Sequence, residues 1–359
     1  MKGGFNTDRI GKLRKGLEEK GVDAVLIFEP HNMYYMTGFT GGEGCAVITH
    51  DKTYLVTDFR YIEQAENESP NFEVVRADNQ AKELPAFINS IGIKTACFEE
   101  EFINYKLYSD LKENLDGIEL IPLGDLIKDI RQVKDEGEIE RISKAQSLAE
   151  EALGYVKGLI RPGMTEKEVA IELEMYIKKG GAAGLSFETI VASGWRSSLP
   201  HGRATDKVIE DGDFVTIDFG IMWDWYCSDM TRTYIVGHAS EKQKDIYSVV
   251  LEAQMAALEG MKAGMTGIEA DKLARDVIER YGFGEYFGHG LGHGVGLQVH
   301  EPPQVNKRGD KPLKENSVVT CEPGIYIPGL GGVRIEDLLV VKNNGILNLT
   351  HIDKKLEIL

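Results

Sequence analysis

The chain has 359 residues, of which 42% are apolar and 28% charged, proportions typical of a globular protein with one large or two ordinary domains. Its formal net charge is −17 and it has no long run of Lys or Arg, which argues against nucleic acid and anionic membranes as partners. No apolar stretch is long enough to predict a membrane span, and residues 1–30 lack a signal-peptide pattern. The four cysteines are dispersed without a Cys-x-x-Cys pair, so we expect a reduced, cytoplasmic setting.

The first part of the chain alternates predicted helices and strands. An amphipathic helix over residues 10–20 precedes an apolar strand-like run at 22–28 and a turn at 30–32. A hairpin is predicted from Cys45–Thr49 and Thr53–Thr57. The later predicted elements continue the alternation: helix 61–68, strand 73–75, helix 81–91, strand 95–98, helix 104–115 and strand 119–121. This order predicts an α/β unit with a mixed sheet.

A charged stretch over residues 130–140 separates this unit from a long predicted helix that runs to about residue 160. Apolar residues such as Ile142, Leu148 and Ala152 recur on one face of that helix. We therefore place the domain boundary within residues 130–135. The predicted domains are residues 1–130 and 131–359.

The second part contains an internal repeat. Gly163-Met164-Thr165 recurs as Gly264-Met265-Thr266, each between two predicted helices of similar character. The segment VTIDFG at residues 215–220 is matched by VTCEPG at residues 319–324. A repeat of this length predicts two halves with the same order of elements.

Each half carries two acidic residues near predicted strands. Asp218 and Asp229 belong to the first copy, and Glu322 and Glu336 belong to the second. A pseudo-twofold pairing of the halves would place these four carboxylates around one centre. Four converging carboxylates repel one another unless a cation lies between them, and two divalent ions can be held by shared carboxylates. The repeat therefore predicts a metal site.

A glycine-rich run at residues 287–303 contains three histidines, His289, His293 and His300. Such a run on its own is often only a tight turn. Combined with the two acidic pairs, it offers the nitrogen ligand that the carboxylates lack. A site of carboxylate oxygens with one imidazole favours Mn²⁺, Co²⁺ or Fe²⁺ over a structural zinc, and two such ions are typical of two-metal hydrolases.

Five segments of the second part resemble the five motifs of the Xaa-Pro aminopeptidase/prolidase family, the "pita-bread" metallopeptidases. They are IDFG at 217–220, CSDMTRT at 227–233, the histidine run with Glu301 at 289–301, EPGIY at 322–326 and VRIED at 333–337. Residues 32–39 and 57–61 also resemble the accessory domain of that family. The resemblance implies an α/β (α+β) chain with an N-terminal mixed-sheet α/β accessory (creatinase-like) domain, 1–130. A C-terminal pseudo-twofold pita-bread catalytic domain, 131–359, is expected to follow.

The resemblance also implies which residues hold the metal ions. Asp218 would chelate one ion, and His293 with Glu322 would bind the other. Asp229 and Glu336 would bridge the two ions. Glu322 would also accept the proton of the attacking water.

Four further residues are implied to contact the substrate. His289 and His300 would stabilise the developing oxyanion or steer the scissile amide, and His201 would contact substrate beyond the scissile bond. Arg334 would anchor either Glu336 or the substrate. For His201, an ordinary turn residue is the less favoured alternative.

The expected activity is hydrolysis of the N-terminal Xaa-Pro bond of short peptides by an aminopeptidase, with a dipeptidase restricted to Xaa-Pro as the alternative. The expected cofactors are two divalent ions, Mn²⁺ in the first place, with Co²⁺, Fe²⁺ or Zn²⁺ as alternatives. The family further implies a homodimer acting on proline-containing peptides. Creatine cleavage, initiator-methionine removal and a non-catalytic binding scaffold are the other hypotheses. The intact acidic set and the long N-terminal part make each of them less favoured.

Overall fold

The computed structural model describes residues 7–359, and the chain divides into two compact units between Ile130 and Arg131. Within these residues no helix combines the length and the apolar composition needed to cross a bilayer. All four cysteines are buried free thiols. Each unit has its own sheet or sheets and its own apolar core.

The first unit is a mixed six-stranded sheet with helices. Its strands are β1 (Ala24–Ile27), β2 (Cys45–Thr49), β3 (Thr53–Thr57), β4 (Glu73–Arg76), β5 (Thr95–Phe98) and β6 (Glu119–Pro122). Its helices are α1 (Thr7–Lys20), α2 (Pro30–Thr37), α3 (Ile62–Glu68), α4 (Gln80–Ser90), α5 (Tyr105–Asn114) and α6 (Leu126–Gln132), the last of which reaches the start of the second unit. The strand order is β4-β3-β2-β1-β5-β6, with β2 antiparallel to both neighbours and the other pairs parallel.

Residues 30–32 begin helix α2 instead of forming the predicted turn. Pro30 occupies the start of the helix, where its missing N–H needs no partner. The Glu29 carboxylate accepts a hydrogen bond from the Asn32 N–H at 2.7 Å and so caps the helix. Gly38, with φ of 81°, ends it. The turn prediction was wrong because proline is favoured both in turns and at the first position of a helix.

The second unit combines four long helices with short antiparallel sheets. Its helices are α7 (Glu136–Lys157), α8 (Glu166–Lys179), α9 (Glu241–Gly260) and α10 (Gly267–Arg280), with 3₁₀ turns at Gly194–Ser198 and Gly284–Tyr286. The strands of its first half are β7 (Gly184–Leu185), β8 (Ile190–Ser193), β9 (Phe214–Phe219), β10 (Ile221–Trp223), β11 (Tyr226–Cys227) and β12 (Met230–Ile235). The strands of its second half are β13 (Gly292–Gly294), β14 (Glu301–Val305), β15 (Val318–Cys321), β16 (Gly324–Ile327), β17 (Gly331–Arg334), β18 (Asp337–Lys342) and β19 (Gly345–Asn348).

The two halves of this unit repeat one plan, as the sequence predicts. Helices α8 and α10 both begin at the repeated threonines, Thr165 and Thr266, which act as N-caps. Each threonine forms a reciprocal capping box with a glutamate three residues later, Glu168 or Glu269. One half builds its main sheet from β12-β9-β8, and the other builds its sheet from β14-β13-β15-β18-β19.

Hydrogen bonds tie the halves together along β12. The Glu336 N–H donates to the Thr231 carbonyl at 3.1 Å, and the Thr231 hydroxyl donates to the Glu336 carboxylate at 2.6 Å. The buried Arg232 guanidinium donates to the Glu336 carbonyl at 2.6 Å and to the Asp337 carboxylate at 2.9 Å. Glu336 and Asp337 of the second half are therefore held against a strand of the first half.

Candidate metal centre

A cavity of about 830 Å³ in the second unit is lined by residues of both halves. Its volume lies in the range of small-molecule sites. All nine residues singled out in the sequence line it: His201, Asp218, Asp229, His289, His293, His300, Glu322, Arg334 and Glu336. Positions that are far apart in the sequence thus meet in one place.

Strand ends deliver the four carboxylates to this cavity. Asp218 lies near the end of β9, opposite Thr231 of β12, and Asp229 comes immediately before β12. In the other half, Glu322 directly follows β15 and Glu336 directly precedes β18. Antiparallel pairing of neighbouring strands therefore gathers acids that belong to different strands.

His293 contributes an imidazole from the middle of β13. Its Nδ1 lies 3.1 Å from the Gly294 carbonyl, so the ring donates there and leaves Nε2 with a lone pair. Nε2 is 3.4 Å from a Glu322 oxygen and 3.6 Å from an Asp229 oxygen, longer than usual N–H···O hydrogen bonds. Burial, with a smaller effect from His300, lowers the pKa of His293 to about 4. The neutral ring therefore faces the acids as an acceptor.

The carboxylates of the centre are electrostatically unsatisfied without a cation. Burial, followed by the charges of neighbouring acids, raises the pKa values of Asp229 and Glu336 well above their usual range. Burial also raises the pKa of Glu322 to about 8, with Asp218 adding to the effect. Like charges in a desolvated cluster disfavour the ionised form, and a divalent ion would reverse the balance.

The donor atoms fit divalent ions. Asp229, His293 and Glu336 each offer a ligand atom, and these atoms all lie within 4.8 Å of one another. One carboxylate oxygen of Asp218, Oδ1, is buried and has no hydrogen-bond partner among the described residues. Buried polar atoms are nearly always satisfied, so this orphaned oxygen calls for a further partner. Several carboxylate oxygens with one imidazole suit Mn²⁺ or Fe²⁺ better than a structural zinc.

Arg334 holds Asp218, not Glu336. Its guanidinium donates to the other Asp218 oxygen, Oδ2, at 2.5 Å and to the Thr231 hydroxyl at 3.0 Å. The remaining amino group donates to the Tyr326 hydroxyl at 2.8 Å and to the Pro200 carbonyl at 3.3 Å. Every nitrogen of this buried guanidinium therefore has a protein partner, which fixes the orientation of the Asp218 carboxylate.

Tyr326 links Arg334 to His289. The tyrosine hydroxyl lies 2.8 Å from His289 Nε2, and His289 Nδ1 lies 2.8 Å from the Gly290 carbonyl. Burial, with the charge of Arg334 second, lowers the pKa of His289 to about 4, so the ring is neutral. Both ring nitrogens are therefore engaged within the protein.

His300 and His201 differ from His289 because neither ring has a hydrogen-bond partner within residues 7–359. The His300 ring lies beside that of His293, with centroids 4.3 Å apart. Burial lowers the pKa of His300. Both side chains line the cavity, so their ring nitrogens are free to meet a ligand there.

The histidine run is held in place by a buried ion pair between Arg275 and Asp271. The sequence did not indicate this pair. Arg275 pairs with Asp271 on helix α10 and donates to the carbonyl groups of Phe287 and His289 at 2.9 and 2.7 Å. Asp271 in turn accepts from the Leu291 N–H at 2.9 Å. The only local signal is the four-residue spacing of the pair, which also fits an ordinary surface salt bridge.

The glycines of this run allow close backbone packing. A Cβ on Gly292 would lie 2.2 Å from the Thr320 carbonyl oxygen of β15. Such a contact is impossible without moving one of the strands. Glycine is therefore required beside His293, because the backbone there packs closely against β15, the strand that precedes Glu322.

We predict that Arg334→Met weakens divalent-metal binding by about 10- to 100-fold, because Asp218 loses the donor that orients it. The change also leaves a buried carboxylate unpaired, which typically costs about 3–5 kcal/mol of stability. Calorimetric Mn²⁺ titration and thermal unfolding measure the two effects. Arg308→Met, at an exposed arginine, is the matched control. Equal metal affinity in both variants would contradict the role assigned to Arg334.

Most of the chain matches two family descriptions. Residues 140–343 match Metallopeptidase family M24, and residues 9–133 match the Creatinase/Prolidase N-terminal domain. The first match contains the five residues of the candidate metal centre.

Similar proteins extend over nearly the whole chain. A curated relative, the uncharacterized peptidase YqhT of Bacillus subtilis, is 45% identical, and the alignment covers 98% of this chain and 100% of the relative. The solved structure of an Xaa-Pro dipeptidase from Bacillus anthracis is 45% identical with a TM-score of 0.96, covering 98% of this chain and 99% of that one. That of an X-Pro aminopeptidase from Thermotoga maritima is 43% identical with a TM-score of 0.90, covering 96% and 100%.

Proposed function

Because the chain belongs to metallopeptidase family M24, we propose that it is an exopeptidase that hydrolyses the N-terminal Xaa-Pro bond of short peptides with divalent metal ions. The names of its relatives include both an Xaa-Pro dipeptidase and an X-Pro aminopeptidase. The aminopeptidase activity is the primary proposal, and a strict dipeptidase is the alternative.

One observation carries this proposal: four carboxylates and one imidazole converge on a single cavity, and one buried oxygen of Asp218 has no hydrogen-bond partner among the described residues. The proposed metal ligands are Asp218, Asp229, His293, Glu322 and Glu336. A scaffold that only bound peptides would gain nothing from burying these acids together, because their repulsion costs stability.

When bound, two divalent ions would supply an activated water and a polarised scissile carbonyl. Glu322 is proposed to take the proton of that water and to return it to the departing proline nitrogen. Its raised pKa suits it to hold a proton, although a bound cation would lower the value. His300 is proposed to donate to the carbonyl oxygen, because its ring has no other partner among the described residues. His289 is held by Tyr326 and is proposed to position that tyrosine and Arg334.

The proposed substrate class has a physical rationale. The nitrogen of an Xaa-Pro bond belongs to a ring and carries no N–H. A peptidase that docks its substrate through that N–H would reject such a bond. The imidazole of His201, which lines the cavity, can contact the substrate beyond the scissile bond without needing the missing donor.

The finer assignments are part of the same proposal. Mn²⁺ is the proposed metal, with Co²⁺, Fe²⁺ and Zn²⁺ as alternatives, because oxygen ligands dominate the donor set. The division near residue 130 is proposed to separate an accessory domain from the catalytic domain, which the two compact units and the two family matches support. Buried free cysteines support a cytoplasmic location, and the homodimer remains a proposal from the family resemblance.

The test is an activity assay of the purified protein with Mn²⁺ on Ala-Pro, Ala-Pro-Ala and Ala-Ala-Ala. We expect release of alanine from both proline-containing peptides and at least about 100-fold lower kcat/KM on Ala-Ala-Ala. Cleavage of Ala-Pro alone would establish the dipeptidase alternative. Failure to cleave either proline-containing peptide would overturn the proposal.

A further inference from the structure

We propose that Arg203, at the mouth of the cavity, binds the C-terminal carboxylate of substrates that end one or two residues beyond the scissile bond. This inference rests on the proposed function and adds to it a residue that selects short peptides. Glu188, which pairs with Arg203, is proposed to compete with the substrate for the guanidinium.

Strand pairing places Arg203 in line with the metal centre. Ile190 pairs with Asp218 on one side and forms an isolated bridge with Arg203 on the other. Directly paired residues of adjacent strands point to the same face, so the three side chains form one row. Neighbouring strands lie about 4.8 Å apart, which puts the Arg203 backbone roughly 10 Å from that of Asp218. All three residues line the cavity.

The length of this row suits a short peptide. Each residue of an extended chain spans about 3.3–3.6 Å, so a carboxylate one or two residues beyond the scissile bond lies within about 7 Å of it. The Arg203 backbone lies two strands away from Asp218, so its long side chain can extend towards the metal centre and meet a carboxylate at that distance. A longer peptide would carry its carboxylate past the guanidinium.

The guanidinium of Arg203 has capacity for a ligand. Its Nε lies 3.0 Å from a Glu188 oxygen, and the two side chains are 72% and 61% exposed. Within residues 7–359 its two terminal amino groups have no hydrogen-bond partner. A planar guanidinium with two free amino groups matches the two oxygens of a carboxylate.

Among the described residues of the cavity, no other permanent cation is available for this task. Of the described residues that line it, only Arg203 and Arg334 are lysine or arginine, and Arg334 already has a partner for every nitrogen. The remaining charged residues that line the cavity are acids. They include Glu188, which pairs with Arg203, and Glu285, which precedes the histidine run in the sequence. An anionic substrate end would be repelled by this surface without a compensating cation.

The test compares Ala-Pro with its C-terminal amide, Ala-Pro-NH₂, in steady-state assays with Mn²⁺. We expect Arg203→Gln to raise KM for Ala-Pro about tenfold, with kcat changed less than about twofold, and to leave KM for the amide unchanged. Arg203→Lys keeps the charge but loses the bidentate geometry, and should restore part of the affinity for the acid. Glu188→Gln should lower KM for Ala-Pro about two- to threefold, because the competing carboxylate is gone.

Arg161→Gln, at an exposed arginine outside the cavity, is the matched control and should leave both substrates unaffected. Equal KM changes for the acid and the amide in Arg203→Gln would overturn the inference, as would a KM increase in Glu188→Gln matching that of Arg203→Gln. Both outcomes would assign the pair a structural role. If the unmodified protein cleaves neither substrate, the proposed function itself fails, so the two failures are distinguishable.

Discussion

We expect Glu322→Gln to lower kcat on Ala-Pro by at least about 10³-fold while the protein remains folded. The amide keeps the volume of the carboxylate and can still accept the hydrogen bond from the Thr320 hydroxyl, which is 3.3 Å away. It cannot take a proton from water, and it removes one negative charge from the proposed metal centre. Losing a general base typically costs about 10²–10⁴-fold, and the weakened ligand adds to that loss.

Steady-state assays at saturating Mn²⁺ measure the decrease in kcat, and near-ultraviolet circular dichroism checks that the variant is folded. Glu315→Gln, at an exposed glutamate in the turn before β15, makes the same chemical change away from the cavity and should retain full activity. Activity of Glu322→Gln within tenfold of the unmodified protein would rule out the role assigned to this residue.

The second large effect concerns stability in the presence of metal. We expect Mn²⁺ at about a hundred times its dissociation constant to raise the unfolding midpoint by about 5–10 °C relative to the protein in a chelator. Binding at this excess contributes about 2.7 kcal/mol, and a domain of this size gains about 2–4 °C per kcal/mol. The physical reason is that the ion removes the repulsion among the buried acids, which otherwise opposes folding.

His293→Ala should abolish most of this Mn²⁺-dependent increment, because it removes the nitrogen ligand that faces Asp229 and Glu322. His351→Ala, at an exposed histidine, should preserve the increment. Differential scanning calorimetry with and without metal gives both values without relying on activity. An unchanged midpoint for the unmodified protein on adding Mn²⁺, Co²⁺ or Fe²⁺ would contradict the metal centre.

Much of the fold was predictable because its elements are locally encoded. The hairpin of β2 and β3 was predicted with its observed bounds, because apolar runs flank a polar turn. The mixed α/β fold of the first part and the two-domain family architecture are confirmed by the structure and by the similar proteins. Helix α2 was missed because a capped proline start resembles a turn in the sequence.

The candidate site was predictable to the extent that the repeat and the motifs mark it. They identified the acids and the histidines that line the cavity, although their roles stay predictions. The sequence could not indicate that Arg334 holds Asp218, because these residues are 116 positions apart and meet only through the tertiary fold. The same applies to Arg203, whose place beside Ile190 depends on a single isolated bridge.

The bonds between Thr231 and Glu336 have a consequence for how the protein acquires activity. These partners are 105 residues apart, and the ion pair between Asp218 and Arg334 spans a similar interval. Contacts this distant in sequence form late, since a long loop must close before they contribute. Neither half can gather the full ligand set during synthesis. Metal binding is therefore expected to follow the docking of the two halves. Newly synthesised chains would then be folded but inactive until the ions bind.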